Sequence, residues 1–457
     1  MSNERNGFSS RLGFVLATAG SAVGLGNIWR FPYLAAKYGG GTFLLTYLIL
    51  TLTFGFSLMI TEVALGRRAG TSAIRAFGHF NKKYTFIGYL TTLIPFIIFP
   101  YYCVIGGWVT KYALVSIQGG IHDAASDTFF TGFISKSAEP MICVLVFLIV
   151  TTLVVAGGVK GGIERVSTIM MPVLIVLLIG VSIFCITRPG AMAGVAYYIK
   201  PNLKDFSPTT ILAALGQLFY SMSLAMGIMV TFGSYMPKKS DLEKSVTQVE
   251  IFDTGVAFLA GLMIVPAVFI FSNGDSSMLA KGPSLMFVML PKVFNSMAFS
   301  SIIAAVFFIL VLLAALTSSI SLLETLVAVL MDKFHMKRGT ACITMFIVAL
   351  LLAVPSSLGF GAWSNITILG FDFLDFFDFI SNSVLMPIAA FLTCIFVGYI
   401  IKPKEIIDEV ESSGEFKRKP LFLVMVKYIA PICIVAILVF SVPVSYTHLT
   451  LPTNSRV

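Results

Sequence analysis

The chain has 457 residues, of which 57% are hydrophobic and only 12% charged, against about 25% charged in soluble domains. Apolar runs long enough to cross a bilayer as helices recur from end to end, so this is an integral membrane protein with no stretch left over for a soluble domain. A net charge of +9 would suggest nucleic acid for a soluble chain; here the basic residues flank membrane spans, which points to anionic lipid and gives no nucleic-acid partner.

In chain order the hydropathy predicts eleven spans, at about 12–37, 42–66, 86–113, 141–158, 166–187, 208–235, 247–272, 297–330, 340–358, 369–401 and 421–443. The polar start "MSNERNGFSSRL" is followed by no small-residue cleavage site, so the first span is read as retained rather than as a signal peptide. Most of the 31 Lys and Arg fall in alternate loops, among them Arg5, Arg11, Arg67, Arg68, Arg75, Lys82, Lys83, Lys238, Lys333, Arg338 and Lys402. The positive-inside rule then puts the N-terminus in the cytoplasm and, after eleven spans, the C-terminus outside. Residues 1–440 read as a single transmembrane domain, and the polar tail over 444–457 is assigned no role.

The first span contains "GSAVGLGNIWRFPY" (residues 20–33), with three glycines, an asparagine, an arginine and a proline where lipid should be. Unpaired backbone inside a bilayer costs several kcal/mol, so glycine-rich, non-helical chain is tolerated only against protein or a wet cavity. Breaking at Gly20, Gly24 and Gly26, the helix would offer carbonyls to a cation and N–H groups to an anion. Close helix packing through the Gly20 and Gly24 pair is the alternative from the residues alone. "GLGNIW" lacks the third glycine and the preceding strand of a nucleotide loop.

The sixth span is interrupted in the same way by "GQLFYSMSLAMG", which puts Gln217, Ser221 and Ser223 at mid-depth. The two interrupted spans lie one five-helix unit apart, as an inverted repeat would place them. In the eighth span, "AALTSSISLLE" offers hydroxyls and carbonyls that suit a small hard cation, although hydroxyls bonding back to their own helix are common. Ionisable residues within or at the ends of spans are Arg30, Glu62, Asp253, Glu324, Asp332 and the trio Asp372, Asp375 and Asp378. Each is costly unless paired or snorkelling to the headgroups. The six cysteines lie in apolar spans without metal-like spacing and read as core. The four histidines lie in loops or the tail, and no metalloprotease, nucleotide-binding or nucleophile-elbow motif occurs, so the chain is not read as an enzyme.

Together "RLGFVLATAGSAVGLGNIWRFPY", "GQLFYSMSLAMG" and "LTSSISLLE" resemble the neurotransmitter:sodium symporter family, in particular its bacterial amino-acid transporters, over essentially residues 5–440. The resemblance implies an all-α membrane fold of the leucine-transporter-like type. That fold has discontinuous helices 1 and 6 and a 5+5 inverted repeat, here about 12–187 and 208–401, with an eleventh helix at about 421–443. It implies sodium-coupled import by alternating access in a bacterial plasma membrane, with two sodium ions and an amino acid as small-molecule partners. Oligomeric state is left open.

Position by position, the resemblance implies one sodium site from the carbonyls of Gly20, Val23 and Ala314 with the hydroxyls of Thr317 and Ser318. A second takes the Ala22 carbonyl, the Asn27 side chain, Ser221 and Asp253, completed by the substrate carboxylate. That carboxylate also meets N–H groups near Leu25 and Gly26 and the Tyr102 hydroxyl, while the amine meets carbonyls of Ala22 and Tyr220 and the side chain of Ser223. Gly24 leaves room where monoamine carriers of the family have an aspartate. Ile98, Tyr220, Met226, Ser318 and Leu322 form the side-chain pocket; Met226 replaces a phenylalanine and favours a hydrophobic, including aromatic, L-amino acid. Asp253 supplies the negative charge that chloride gives in chloride-dependent relatives, so chloride is not expected. The gates are Arg30 with Asp378 outside, and Arg5 with Asp332, assisted by Tyr235, inside. In the fifth span "GIERVSTIMMP" sets Gly162 ten residues before Pro172, either a hinge that unwinds toward the inner sodium site or a fixed kink. A non-transporting receptor on the same scaffold and an ion channel are the rival functions; the first would want a signalling domain, the second a continuous polar pore.

Overall fold

The computed structural model describes residues 7–272 and 284–439. Within them the chain is helical, and the one strand-like pairing is an isolated bridge between Ile368 and Phe371. Helix α1 (Arg11–Ala22) opens on Ser10, whose hydroxyl accepts from the Gly13 N–H at 3.0 Å and so satisfies one of the orphan donors of a helix start. It stops at Val23, whose ψ of 95° is extended. The span resumes after Leu25 as α2 (Gly26–Lys37), bent by 52°.

Next come α3 (Gly41–Ala69), a short α4 (Ala73–Phe80), α5 (Lys82–Ile117), α6 (Ala138–Ala156), α7 (Val159–Ile186) and a short α8 (Ala191–Ile199). The second break separates α9 (Pro208–Ser221) from α10 (Ile228–Tyr235). After it follow α11 (Leu242–Phe271), the shorter α12 (Leu285–Asn295), α13 (Ser300–Phe334), α14 (Arg338–Leu358), α15 (Phe373–Ile400), a short α16 (Lys404–Glu411) and α17 (Lys419–Val439).

Among the described residues nine helices are long and apolar enough to cross a membrane, or ten with the bent α1–α2 pair. Helices α9 and α10, of 14 and 8 residues, are each too short for a hydrocarbon core of about 30 Å. The expected count of eleven therefore depends on these two crossing as one interrupted span. Their break is a backbone feature: Ser223 and Ala225 have φ of 52° and 62°, and Gly227 has 72°. Left-handed backbone costs a non-glycine residue about 1–2 kcal/mol, and the break is held by Glu62 of α3, whose Oε1 accepts from the Ala225 N–H at 2.7 Å.

Among the described residues the helices α4, α8, α12 and α16, with two helices of four and six residues at Ile121–Ala124 and Phe129–Ile134, went unpredicted because they are too short to span. Helix α4 shows the pattern: it buries Ala73, Ile74, Ala76 and Phe77 and turns Arg75 and His79 outward. Helix α7 runs unbroken through Pro172. Gly162 near its start is fixed by space, since a Cβ there would overlap the Val154 carbonyl oxygen.

Candidate functional site

The two breaks face each other across the middle of the bundle, with α5 and α13 closing the sides. Between them lies a cavity of about 30 Å³ lined by Ser21, Ala22, Gly24, Leu25, Gly26, Ile98, Tyr102, Tyr220, Ser223, Met226, Ile228, Ser318 and Leu322. Eleven of these thirteen are the residues expected at a substrate site; Ser21 and Ile228 are additions. Ser221, also expected there, instead faces Asp253. The glycines are sterically required: a Cβ on Gly24 would overlap Ser318 Oγ and lie 3.3 Å from the Tyr102 hydroxyl, and one on Gly26 would lie 2.6 Å from the Tyr220 ring. Gln217 ties the breaks together by donating to the Gly26 carbonyl at 2.8 Å.

Ser223 in the second break and Ser318 of α13 both donate to the Ser21 carbonyl, each at 3.0 Å. Among the described residues the buried Tyr102 hydroxyl has no well-formed hydrogen bond, and it borders the cavity, which makes it a ready partner for an anionic ligand group. The rest of the lining includes the apolar side chains of Ile98, Met226, Ile228 and Leu322.

Beside the cavity Asp253 of α11 is fully buried and surrounded by neutral donors. Asn27 Nδ2 reaches its Oδ1 at 2.7 Å, Ser221 Oγ reaches both oxygens at 2.8 and 3.1 Å, and the Tyr47 hydroxyl reaches Oδ2 at 3.2 Å. Among the described residues no Lys, Arg or His pairs with it. A carboxylate removed from water without a counter-charge is expensive by several kcal/mol, and a cation held by these oxygens offsets that cost. Tyr47 was not foreseen; a tyrosine inside the second span was its only signal.

A second oxygen group joins α13 to the end of α1. Thr317 Oγ1 lies 3.0 Å from the Ala314 carbonyl oxygen and 3.4 Å from that of Val23, and Gly20 packs against the Thr317 side chain. Ser318 departs from the expected set, its hydroxyl being turned to Ser21 and the cavity instead of to this group. These are hard oxygen donors of the kind that suits alkali and alkaline-earth ions.

The gates are partly assembled. Arg30 and Asp378 line one cavity of about 220 Å³ with Asp375 and Tyr220, but the expected ion pair is not formed. The Arg30 guanidinium lies 5.3 Å from the Tyr220 ring centroid, a cation–π distance, while Asp378 accepts from Asn382 Nδ2 at 2.6 Å and the Tyr101 hydroxyl at 3.2 Å. At the other end, Asp332 Oδ2 accepts from the Ser72 N–H at 2.7 Å and Thr71 Oγ1 at 3.0 Å; Arg5 lies outside the described residues. Tyr235 donates to Glu324 at 2.7 Å, and Arg338 grips the same carboxylate through both of its terminal nitrogens. The segment before α1 is tied to α7, where Glu164 accepts from the Ser9 N–H at 2.8 Å.

An all-helical membrane protein with a cavity enclosed between two facing helix breaks, and further cavities toward either end, is a carrier for small solutes rather than an enzyme or a channel. The particular carrier follows from comparison. The sequence profile of the Sodium:neurotransmitter symporter family matches residues 5–132 and 132–455, and the chain belongs to that family. It is similar to the uncharacterized sodium-dependent transporter YhdH of Bacillus subtilis (strain 168), 35% identical over 438 residues covering 94% of this chain and 96% of the relative. It is also similar to the sodium- and chloride-dependent GABA transporter 2 of Homo sapiens, 25% identical over 502 residues covering 98% and 81%. Among solved structures it resembles that of MhsT in complex with L-phenylalanine, with a TM-score of 0.86, 39% identity and coverage of 95% of this chain and 99% of that one. The chain is therefore a multi-pass, sodium-dependent symporter with the fold expected from its broken helices.

Proposed function

We propose that this symporter imports a hydrophobic L-amino acid, aromatic ones included, with two sodium ions and without chloride. The observation that carries the reading is Asp253, a buried carboxylate whose partners among the described residues are all neutral, beside a cavity lined by both polar and apolar side chains. One sodium ion would join Asp253, Asn27, Ser221 and the Ala22 carbonyl to the substrate carboxylate, which Tyr102 and the N–H groups at Leu25 and Gly26 would also hold. The amine would face the carbonyls of Ala22 and Tyr220 and the Ser223 side chain. The other ion would take Gly20, Val23, Ala314, Thr317 and Ser318, the last after its hydroxyl rotates away from Ser21.

Ion and substrate then neutralise one another, so each raises the affinity of the other by the same factor. The apolar part of the lining supports a hydrophobic side chain, and so does the L-phenylalanine in the similar MhsT structure. Alternating access would use the Arg30–Asp378 pair, closing over Tyr220, at one end and the Arg5–Asp332 pair with Tyr235 at the other. The domain reading is one transporter unit over 1–440, with repeats at about 12–187 and 208–401 and the eleventh helix at about 421–443. The basic loops favour a bacterial plasma membrane with the N-terminus cytoplasmic and the C-terminus outside.

The test is uptake of radiolabelled L-phenylalanine and L-leucine into proteoliposomes. Accumulation is expected under an inward sodium gradient, none with potassium in its place, and no change when gluconate replaces chloride. Sodium-dependent binding without accumulation would indicate a receptor. Chloride-stimulated uptake would overturn the role given to Asp253.

A further inference from the structure

Away from the transport path, a cavity of about 490 Å³ opens at the inner end of α5, lined by Thr71, Arg75, Gly78, His79, Thr85 and Lys333. Its donors are basic. The side chains of Arg75 and His79 have no hydrogen-bonding or ionic partner among the described residues, and Lys333 is engaged only by a neutral group, the Tyr89 hydroxyl, with its ammonium 5.0 Å from the Tyr89 ring centroid. The hydroxyls do not compete, because Thr71 donates to Asp332 and Thr85 to the Lys82 carbonyl. Asp332, which accepts from Thr71, also accepts from the Ser72 N–H. Lys82 and Lys83 add exposed charge on the adjoining turn.

Through the Lys333–Tyr89 contact the cavity adjoins an exposed apolar stripe. Tyr89, Leu93 and Phe96, spaced i, i+4 and i+7 on α5, are all exposed, as are Phe86 and Phe334 beside them. The stripe climbs about 10 Å along the helix, away from the basic rim and toward the bilayer interior. Tyr89 marks the junction, at the level where tyrosines gather at membrane interfaces. A phosphate between the charged Arg75 and Lys333 and beside the His79 imidazole, with an acyl chain along an apolar stripe, is the arrangement of one amphiphile, and a soluble anion would leave the stripe unused.

We propose that this is a binding site for an anionic glycerophospholipid, its phosphodiester held by Arg75, His79 and Lys333 and one chain lying on Tyr89, Leu93 and Phe96. The consequence reaches the transport machinery, since α4 carries Arg75 and His79 and its first residue, Ala73, packs directly under the second helix break: a Cβ on Gly227 would lie 2.8 Å from the Ala73 Cβ. A lipid that fixes α4 thereby buttresses that break. Only the assignment to the cytoplasmic leaflet rests on the topology proposed above.

Native mass spectrometry of the full-length protein in detergent tests the site without reference to transport or orientation. The protein is titrated with phosphatidylglycerol, with phosphatidylcholine of the same chains, and with inorganic phosphate. Basic residues near a membrane surface contribute about fivefold each, so phosphatidylglycerol is expected to bind at least about tenfold more tightly than phosphatidylcholine. Inorganic phosphate is expected not to displace it. The double substitution Arg75→Gln/Lys333→Gln should remove most of that preference, whereas Arg75→Lys/Lys333→Arg and the remote pair Lys160→Gln/Arg165→Gln should keep it. Equal binding of the two lipids by the parent protein overturns the proposal, and this comparison stands even if the double variant misfolds. An undiminished preference in that variant, or displacement by inorganic phosphate alone, overturns it as well.

Discussion

Gly24 is where a single hydrogen in place of a side chain decides the most. The position lies between Ser318 on α13 and the Tyr102 hydroxyl on α5, and a methyl group there would overlap the first and crowd the second. Gly24→Ala is therefore expected to displace both polar groups from the cavity and to weaken binding of L-phenylalanine at least about tenfold, the scale of losing one buried hydrogen bond to a charged group; equilibrium binding in detergent checks it. At this scale the sequence was informative wherever a residue type was unusual for lipid. Gly24, Asn27, Gln217 and Asp253 advertised themselves by polarity or by lack of a side chain. What it did not disclose were rotamers and partners. Ser318 turns to Ser21, Asp378 is held by Asn382 and Tyr101 in place of Arg30, and Tyr47 completes the shell of Asp253. Those choices are settled by residues distant in sequence, and no local pattern encodes them.

Among the elements, the interrupted α9–α10 pair bears the clearest strain. Ser223 and Ala225 occupy left-handed backbone without the freedom of glycine, and Glu62 compensates by accepting from the Ala225 N–H. Glu62→Ala would leave that buried N–H unmet and is expected to cost about 1–3 kcal/mol, read as a lower unfolding temperature in detergent; an unchanged transition would show that the break holds itself. Helix α7 offers a second test, because it runs unbroken although Gly162 and Pro172 bracket nearly three turns in which the proline removes one hydrogen bond. If that stretch is a hinge, amides over 159–168 should exchange faster than those over 173–186, and faster still when sodium is replaced by potassium. Uniform exchange along α7 would make Pro172 a fixed kink. The long spans were readable because some twenty apolar residues in a row admit few other structures. Helices α4, α8, α12 and α16 were not, since a one- or two-turn amphipathic helix is stabilised by what it packs against rather than by its own pattern.

Over the whole molecule, the cavity between the two breaks and the cavities toward either end describe a solute path, and coupling follows from the charges met at the breaks. A substrate carboxylate entering beside Asp253 adds a second negative charge to a buried region, which is tolerable only with cations present. Sodium is thus an obligatory co-ligand in this account, and the membrane potential contributes about 2.3 kcal/mol per ion for each 100 mV. The most direct measurement is binding of radiolabelled L-phenylalanine to the purified protein as a function of sodium concentration, for the parent and for Asp253→Asn. The parent should bind only with sodium, and Asp253→Asn should need at least about tenfold more of the ion for half-maximal binding. Sodium dependence identical in the two proteins, or tight binding in its absence, would contradict the account.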